Sequence, residues 1–183
     1  MKILYKISSV AAFFCLFVGF VQAQAERDKG IELYEKGDYQ AAAEILQKVV
    51  EADKKDGEAW RFLGMAYART KNLKQSRKAF DKAADFKDED LNHNYDKPLK
   101  IISKRPPRYT EEARRDLISG RIKVAVEFGA DGAIKYVVPI RGLSHGLTEN
   151  AVKAASEIKF EPAIRNDKTV TVIKFVEYSF DIY

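Results

Sequence analysis

Hydrophobic and polar positions divide the chain into an N-terminal part with helical spacing and a C-terminal part with strand spacing. In the first part, apolar residues recur three and four positions apart, as in Ala42, Leu46 and Val49, which predicts amphipathic helices. In the second part, apolar and polar residues alternate along 122–128 and again along 134–140, which predicts half-buried strands. The pattern indicates a helical region followed by a region of mixed helices and strands.

The helical region contains two copies of one pattern at a spacing of 34 residues. Gly30 aligns with Gly64, and Leu46 aligns with Phe80. The second copy has small, aromatic and apolar residues at characteristic offsets: Trp60, Leu63, Gly64, Tyr67, Phe80 and Ala83. This pattern resembles the tetratricopeptide repeat, which implies two helix pairs. Because three or more repeats usually stack together, we expect the second domain, a partner or another copy to cover the exposed end.

The C-terminal region follows the order helix, strand, hairpin, strand, helix, strand. Thr110 is a candidate helix N-cap, and two acidic residues follow it directly. This pattern predicts a short helix there. The turn at 129–132 contains the Asp-Gly pair that is typical of hairpins. A second helix follows the loop 142–146, and a final strand extends from about Lys168 to Ile182.

These ordered elements resemble the C-terminal domain of the TonB family. The matching positions are Tyr109, Ala113, Gly120, Val124, Phe128, Asp131, Gly132, Ala151, Phe160, Pro162 and Ala163. The resemblance implies a three-stranded antiparallel sheet with two helices, so the fold class of the whole chain is α plus α+β. It also implies a module of the cell envelope that grips a short peptide, which adds itself alongside the last strand.

The N-terminus has the three parts of a secretory signal peptide. Lys2 and Lys6 precede an uncharged apolar run, and small residues follow near Ala23 and Ala25. We therefore predict that residues 1–25 are a signal peptide, cleaved near Ala23 or Ala25, and that the protein is periplasmic. The alternative is an uncleaved membrane anchor, although the apolar run is shorter than the ~20 residues of a spanning helix.

Four segments follow from these patterns: the signal peptide 1–25, a repeat domain 26–90, a linker 91–104 and a TonB-like domain 105–183. The single cysteine lies in the first segment, so disulfides cannot stabilise the cleaved chain. The chain carries 32 basic and 27 acidic side chains, a net charge of +5. Because these charges are interspersed and the protein is expected to be exported, nucleic acid is not an expected partner.

The last strand is the predicted partner-binding element, because a long edge strand presents unpaired N–H and C=O groups to an incoming strand. The residues assigned to it are Thr169, Thr171, Ile173, Lys174, Phe175 and Glu177. Ile173 and Phe175 lie on its polar side, with Val137 and Ala125 expected beside them on neighbouring strands. Three interpretations stay open: a bulge near Lys174 that exchanges the two faces, an apolar contact with a partner, or a docking surface for the repeat domain.

A second candidate surface is the groove formed by the first helix of each repeat. The residues expected to face it are Ile31, Tyr34, Arg61, Met65 and Arg69. Two arginines beside apolar side chains suit a peptide that carries a carboxylate. The alternative is an ordinary amphipathic helix surface without a ligand.

We expect a non-enzymatic adaptor that binds an envelope protein, which could be a TonB-dependent outer-membrane receptor. His93 and His145 are the only histidines, and neither has Cys, His or carboxylate neighbours at ligand spacing. No catalytic, cofactor-binding or metal-binding residues are therefore predicted. The alternatives are a membrane-anchored TonB-type energy transducer for outer-membrane transport and a structural envelope scaffold that forms homo-oligomers. The family's energising members carry a polar Ser and His in their membrane helix, whereas the apolar run here has Ser8 and Ser9 only at its edge and no His, which disfavours the transducer alternative.

Overall fold

The computed structural model describes residues 24–87 and 95–182. Most of the predicted signal peptide, at 1–23, and a segment that overlaps the predicted linker, at 88–94, lie outside the described residues. In the two described ranges, no helix combines the length and the apolar character that a membrane span requires.

Four helices make up the N-terminal region. They cover 24–35 (α1), Tyr39–Ala52 (α2), Gly57–Arg69 (α3) and Leu73–Ala83 (α4). The last three follow the N-caps Asp38, Asp56 and Asn72, whose side chains each accept a hydrogen bond from a backbone N–H three residues further on. Each cap satisfies a donor that has no partner within its helix, and this fixes where the helix begins.

The aligned glycines of the two repeats are sites of close helix contact. A Cβ atom on Gly64 would lie 2.6 Å from the ring of Phe80, and one on Gly30 would lie 2.8 Å from Cγ of Leu46. Phe80 and Leu46 are themselves aligned in the sequence repeat. Each copy therefore places a large side chain of its second helix against a glycine of its first, which confirms the predicted helix pairs.

The elements of the C-terminal region are β1 (Lys100–Ser103), α5 (Glu111–Arg115), β2 (Gly120–Phe128), β3 (Ile134–Arg141), α6 (Leu147–Ser156), β4 (Lys159–Glu161), β5 (Ala163–Arg165), β6 (Lys168–Val170) and β7 (Val172–Phe180). Three of the strands form an antiparallel sheet in the order β3-β2-β7. The predicted sheet and its two helices are confirmed. Two short antiparallel pairs, β1 with β4 and β5 with β6, are absent from the prediction.

Helices α5 and α6 cover one face of this sheet. The buried residues there include Ala113, Ile122, Val124, Val126, Phe128, Leu147, Ala151, Ala155, Val176, Tyr178 and Phe180. The strand members of this core occupy alternate positions of β2 and β7, as the period-two pattern predicts.

The predicted final strand is divided into two. β6 ends at Val170 and pairs with β5, whereas β7 begins at Val172 and pairs with β2. The register between β7 and β2 has no shift along its whole length, so the interpretation that placed a bulge near Lys174 is wrong. Ile173 and Phe175 face away from α5 and α6 by ordinary strand alternation.

A bulge at Lys135 shifts the register between β3 and β2. Ile134 and Val137 pack with the core under α5 and α6, whereas Val138 is buried on the opposite face. The expectation that Val137 lies beside Ala125 on the outer face is therefore wrong. Val138 takes that place, because the extra residue in β3 changes which positions face each side.

Gly64→Ala should lower the free energy of unfolding by about 1–3 kcal/mol, because the added methyl overlaps the Phe80 ring and a packed core resists extra volume. This loss should outweigh the better helix propensity of alanine. Urea titration of the purified protein measures it. Lys82→Ala, at an exposed position of α4, is the control and should change the value by less than about 0.5 kcal/mol. Equal values for both variants would contradict the close packing.

Candidate protein-interaction site

The outer face of the sheet, opposite α5 and α6, packs against the repeat region. Ala125, Val138 and Ile173 belong to the same buried hydrophobic cluster as the core of the repeats. The rings of Phe80 and Phe175 meet edge to face with centroids 5.9 Å apart. Of the interpretations of the apolar patch that the sequence left open, the structure shows a docking surface for the repeat region.

Glu127 of β2 is the centre of a polar contact in this interface. Its carboxylate accepts hydrogen bonds from the Tyr34 hydroxyl at 2.7 Å and from the Arg69 guanidinium at 2.8 Å. Glu127 is only 5% exposed. Burial, together with the charge of Glu127, raises the pKa of the Tyr34 hydroxyl, so this hydroxyl stays a donor at all physiological pH values. The contact joins α1, α3 and the sheet.

Arg61 of α3 contacts the edge of the sheet. Its Nη1 donates to the carbonyl oxygen of Ile173 at 3.1 Å, and its Nη2 donates to that of Phe86 at 3.0 Å. Its guanidinium also lies over the Phe175 ring, 4.9 Å from the centroid. A buried guanidinium needs several such partners to offset its lost hydration. Arg61 therefore fixes the position of α3 along β7.

Glu58 of α3 forms a third polar contact with the C-terminal region. Its Oε1 accepts from Arg165 at 2.7 Å and from the Tyr95 hydroxyl at 3.0 Å. Arg27 of α1 lies 3.6 Å from its Oε2. Glu58 is 4% exposed, and burial, followed by the charge of Glu58, raises the pKa of Tyr95. The two short strands around Arg165 are thereby held against the repeats.

The predicted repeat groove is therefore filled by the chain's own sheet. Tyr34, Arg61 and Met65 are each 3% exposed or less, and Ile31 and Arg69 are partly buried. Tyr34, Arg61 and Arg69 contact the sheet directly, and Ile31 and Met65 belong to the hydrophobic cluster that continues into it. A peptide at this surface would have to displace the sheet, and binding of a partner there stays a prediction.

β7 is an edge strand, and the position of Pro139 shows which of its backbone groups face outward. Pro139 of β3 lies opposite Val124 of β2. Because proline has no N–H, the backbone groups of Val124 turn toward β7 instead. Val124 lies opposite Val176, so even-numbered residues of β7 bond to β2. The odd-numbered residues, from Ile173 to Ser179, direct their N–H and C=O groups to the open edge.

Two side chains donate to carbonyl oxygens of this outward row, which agrees with the assignment of the odd-numbered residues to the open edge. Arg61 donates to the carbonyl of Ile173, and Lys104 Nζ donates to the carbonyl of Glu177 at 3.1 Å. Within the described residues, β7 has no strand on this side. Lys104 is exposed, so an incoming strand can displace it, whereas Arg61 is buried and limits the open edge at Ile173.

The structure places the six residues predicted for partner binding in different parts of the C-terminal domain. Thr169 pairs with Ile164 in the hairpin of β5 and β6, and Thr171 lies between β6 and β7. By the alternation described above, the backbone N–H and C=O groups of Lys174 point toward β2. Ile173, Phe175 and Glu177 belong to the outward row, to which the structure adds Ser179.

Sequence reasoning missed Glu127 and Lys104, and it also missed the meaning of Pro139. A carboxylate within an otherwise buried strand signals a buried ion pair, which would have indicated Glu127. Proline inside a strand signals an edge position. Pro139 would therefore have assigned β3 to an edge of the sheet, and it would have indicated which residues of each strand bond to which neighbouring strand. No local signal marks Lys104, because its role depends on the path of the chain beside β7.

Ser144, His145 and Asp116 form a short hydrogen-bonded chain at the surface. The Ser144 hydroxyl lies 2.7 Å from Nδ1 of His145, and Nε2 of His145 lies 3.0 Å from Asp116 Oδ2. Ser144 and Asp116 are exposed, so water weakens both contacts. The contacts tie the loop before α6 to the end of α5. Among the described residues, no cluster of His, Cys, Asp and Glu could hold a metal ion.

Family comparisons divide the chain at the same place as the fold. The model for the tetratricopeptide repeat matches residues 27–90, and the model for the Gram-negative bacterial TonB protein C-terminal region matches residues 105–182. The chain joins a tetratricopeptide-repeat region to a TonB C-terminal domain. Both families are protein-interaction modules.

Two solved structures are similar to the TonB C-terminal domain of this chain. The TonB C-terminal domain of Pseudomonas aeruginosa shares 26% identity over 48% of this chain and 89% of its own length, with a TM-score of 0.39. That of Helicobacter pylori shares 21% identity over 42% and 72%, with a TM-score of 0.30. No curated protein matches the chain.

Glu127→Gln should lower the free energy of unfolding by about 2 kcal/mol, because it weakens two charge-assisted hydrogen bonds that cross the interface between the repeats and the TonB domain. Thermal or urea unfolding measures the change. Glu177→Gln is the matched control, since Glu177 pairs with Lys123 at an exposed position of the same face, and it should change stability by less than about 0.5 kcal/mol. A Glu127→Gln protein as stable as this control would show that the contact does not hold the two regions together.

Amide hydrogen exchange should distinguish the two rows of β7. Even-numbered amides such as Val176 and Tyr178 bond to β2 and should exchange slowly, whereas Glu177 and Ser179 face the open edge and should exchange fast. Residue-resolved exchange by NMR measures both rows in one experiment. The opposite pattern would mean that the outward row is even-numbered, and uniform protection would mean that the edge is covered.

Proposed function

We propose that this protein is a periplasmic adaptor whose TonB domain binds an extended segment of an envelope protein by strand addition to β7. The open edge of β7 carries the proposal, because an unpaired row of N–H and C=O groups is a template for an added strand. The expected signal peptide and the Gram-negative family of the domain support the location. An outer-membrane receptor is the first partner class to test.

The sheet favours addition at one of its two edges. β3 forms the other edge, but Pro139 removes a donor from its outer row and sits at an exposed position. An added strand would lose a ladder bond there. At β7, the outward amides of Phe175, Glu177 and Ser179 all belong to residues that keep their N–H. An incoming strand therefore forms more backbone bonds at β7 than at β3.

In this proposal, the repeat region makes the edge rigid. β7 is covered by α5 and α6 on one face, and the repeats pack on its other face at Ile173 and Phe175, so its backbone is fixed there before a partner binds. A rigid receptor loses little conformational entropy when it binds. The repeats would thus support the binding edge, while their outward surfaces stay available for a second contact.

Glu177→Pro should abolish partner binding while the fold survives, because it removes an outward N–H from the proposed binding edge without removing a bond to β2. Glu177→Ala is the matched control, since it loses the same side chain but keeps the N–H, and it should bind nearly as well as the unmodified protein. Capture of envelope proteins on the immobilised chain, quantified by mass spectrometry, measures binding, and circular dichroism measures folding.

Lys174→Pro tests the direction assigned to the backbone of β7. The amide of Lys174 points to β2, so proline there should damage the sheet and lower the melting temperature, in contrast to Glu177→Pro. If Glu177→Pro stays folded and captures the same partner as Glu177→Ala, strand addition at β7 is wrong. The repeat region then becomes the leading binding site.

A further inference from the structure

A cleft of about 270 Å³ lies between α4, the last repeat helix, and the outer edge of β3. From α4 it is lined by residues of one helix face, at spacings of three and four: Leu73, Ser76, Arg77 and Phe80. The strand contributes Tyr136 to Ile140. Phe80 and Val138 are also part of the hydrophobic cluster that joins the two regions, so the cleft is an open continuation of the interdomain interface.

The walls of the cleft are more apolar than an ordinary surface, and they contain a buried hydroxyl without a hydrogen-bond partner. Leu73 is 65% exposed and Tyr136 is 36% exposed, and both are among the few large hydrophobic side chains that reach solvent in the described residues. The hydroxyl of Ser76 is buried and has no hydrogen-bond partner within the described part of the chain. The exposed apolar side chains gain from an occupant that covers them with apolar area.

The charge around the cleft is positive. Arg77 is one of the lining residues, Lys74 is exposed on α4 three residues before it, and Arg141 ends β3. Among the described residues that line the cleft, none is acidic. An acidic occupant is therefore favoured by charge complementarity.

The shape of the site favours a helix over a strand. Pro139 interrupts the donors along the β3 edge, so an added strand would be poorly bonded. Within the described residues, α4 is the last helix of the repeat region, and in repeat proteins each repeat packs against its neighbours, so the outer side of a terminal helix can receive a further helix. The cleft has room for one or two large side chains rather than a whole element.

We propose that this cleft is a docking site for an acidic amphipathic helix of a partner protein, which inserts a large apolar side chain between Leu73 and Tyr136. The helix packs along α4, and its carboxylates pair with Arg77 and the neighbouring cations. This surface is separate from the β7 edge, and the two sites can be occupied together. The site gives the repeat region a binding role that its filled groove cannot supply.

Two synthetic amphipathic peptides test this proposal on the purified protein. Each has about 20 residues, above the ~12–15 residues below which an isolated helix is marginal, with leucines at one set of i, i+3, i+4 positions. One peptide carries glutamates and the other lysines on the polar face. Fluorescence anisotropy at about 0.15 M salt, where distant charges are screened, should show binding of the glutamate peptide and at least about tenfold weaker binding of the lysine peptide.

Variants of exposed residues on α4 locate the site. Leu73→Glu, Leu73→Ala and Arg77→Glu should each weaken the glutamate peptide about tenfold or more. Lys78→Glu makes the same charge change on the same helix, but Lys78 lines the groove with Trp60 on the other side of α4, so it should change binding less than about twofold. Melting temperatures should equal that of the unmodified protein, and if Leu73→Glu fails to fold, Leu73→Ala decides.

Several results would overturn the proposal. Equal or tighter binding of the lysine peptide would remove the charge argument, and no binding of either peptide would show that the cleft does not accept such a helix. Equal effects of Arg77→Glu and Lys78→Glu would place the peptide elsewhere. Self-association in analytical ultracentrifugation that Leu73→Glu abolishes would make a second copy of this chain the occupant.

Discussion

The packing of the repeats on the outer face of the sheet determines the rest of the structure. Two repeats leave the first helix of each pair uncovered, and the sheet has apolar residues, including Ile173 and Phe175, on a face that its own helices do not reach. Either surface alone would expose a large hydrophobic area to water. Each region covers the other, so the two form one hydrophobic unit.

This arrangement leaves the outer edge of β7 open. One face of the strand is covered by α5 and α6, and the repeats cover the other face at Ile173 and Phe175. Glu177 and Ser179 are exposed, so a partner there meets the outward N–H and C=O groups together with two polar side chains. A binding site of this kind selects a partner through its ability to extend and pair, which tolerates many sequences.

The sequence predicts the parts of this fold that depend on local spacing, and it does not predict those that depend on chain path. The repeat spacing places glycines opposite large side chains, and the alternation in β2 and β7 assigns their core faces. The bulge at Lys135 has no residue signature, so Val137 and Val138 are exchanged in the prediction. The break at Thr171 is hidden because residues on both sides of it favour strands. The docking of the repeats was one of several open interpretations, since a surface pattern does not name its occupant.

The polar contacts of the interface determine the relative position of the two regions more than the free energy that holds them together. Glu127 and Glu58 are both buried, and the cost of removing such groups from water offsets much of their attraction to arginine. Apolar burial around Ile173 and Phe80 supplies the favourable free energy, but it would tolerate sliding of one surface over the other. Arg61 limits this sliding, because its guanidinium donates to the carbonyl oxygens of both Ile173 and Phe86. The open edge of β7 therefore begins beside the repeats, at the residue that Arg61 contacts.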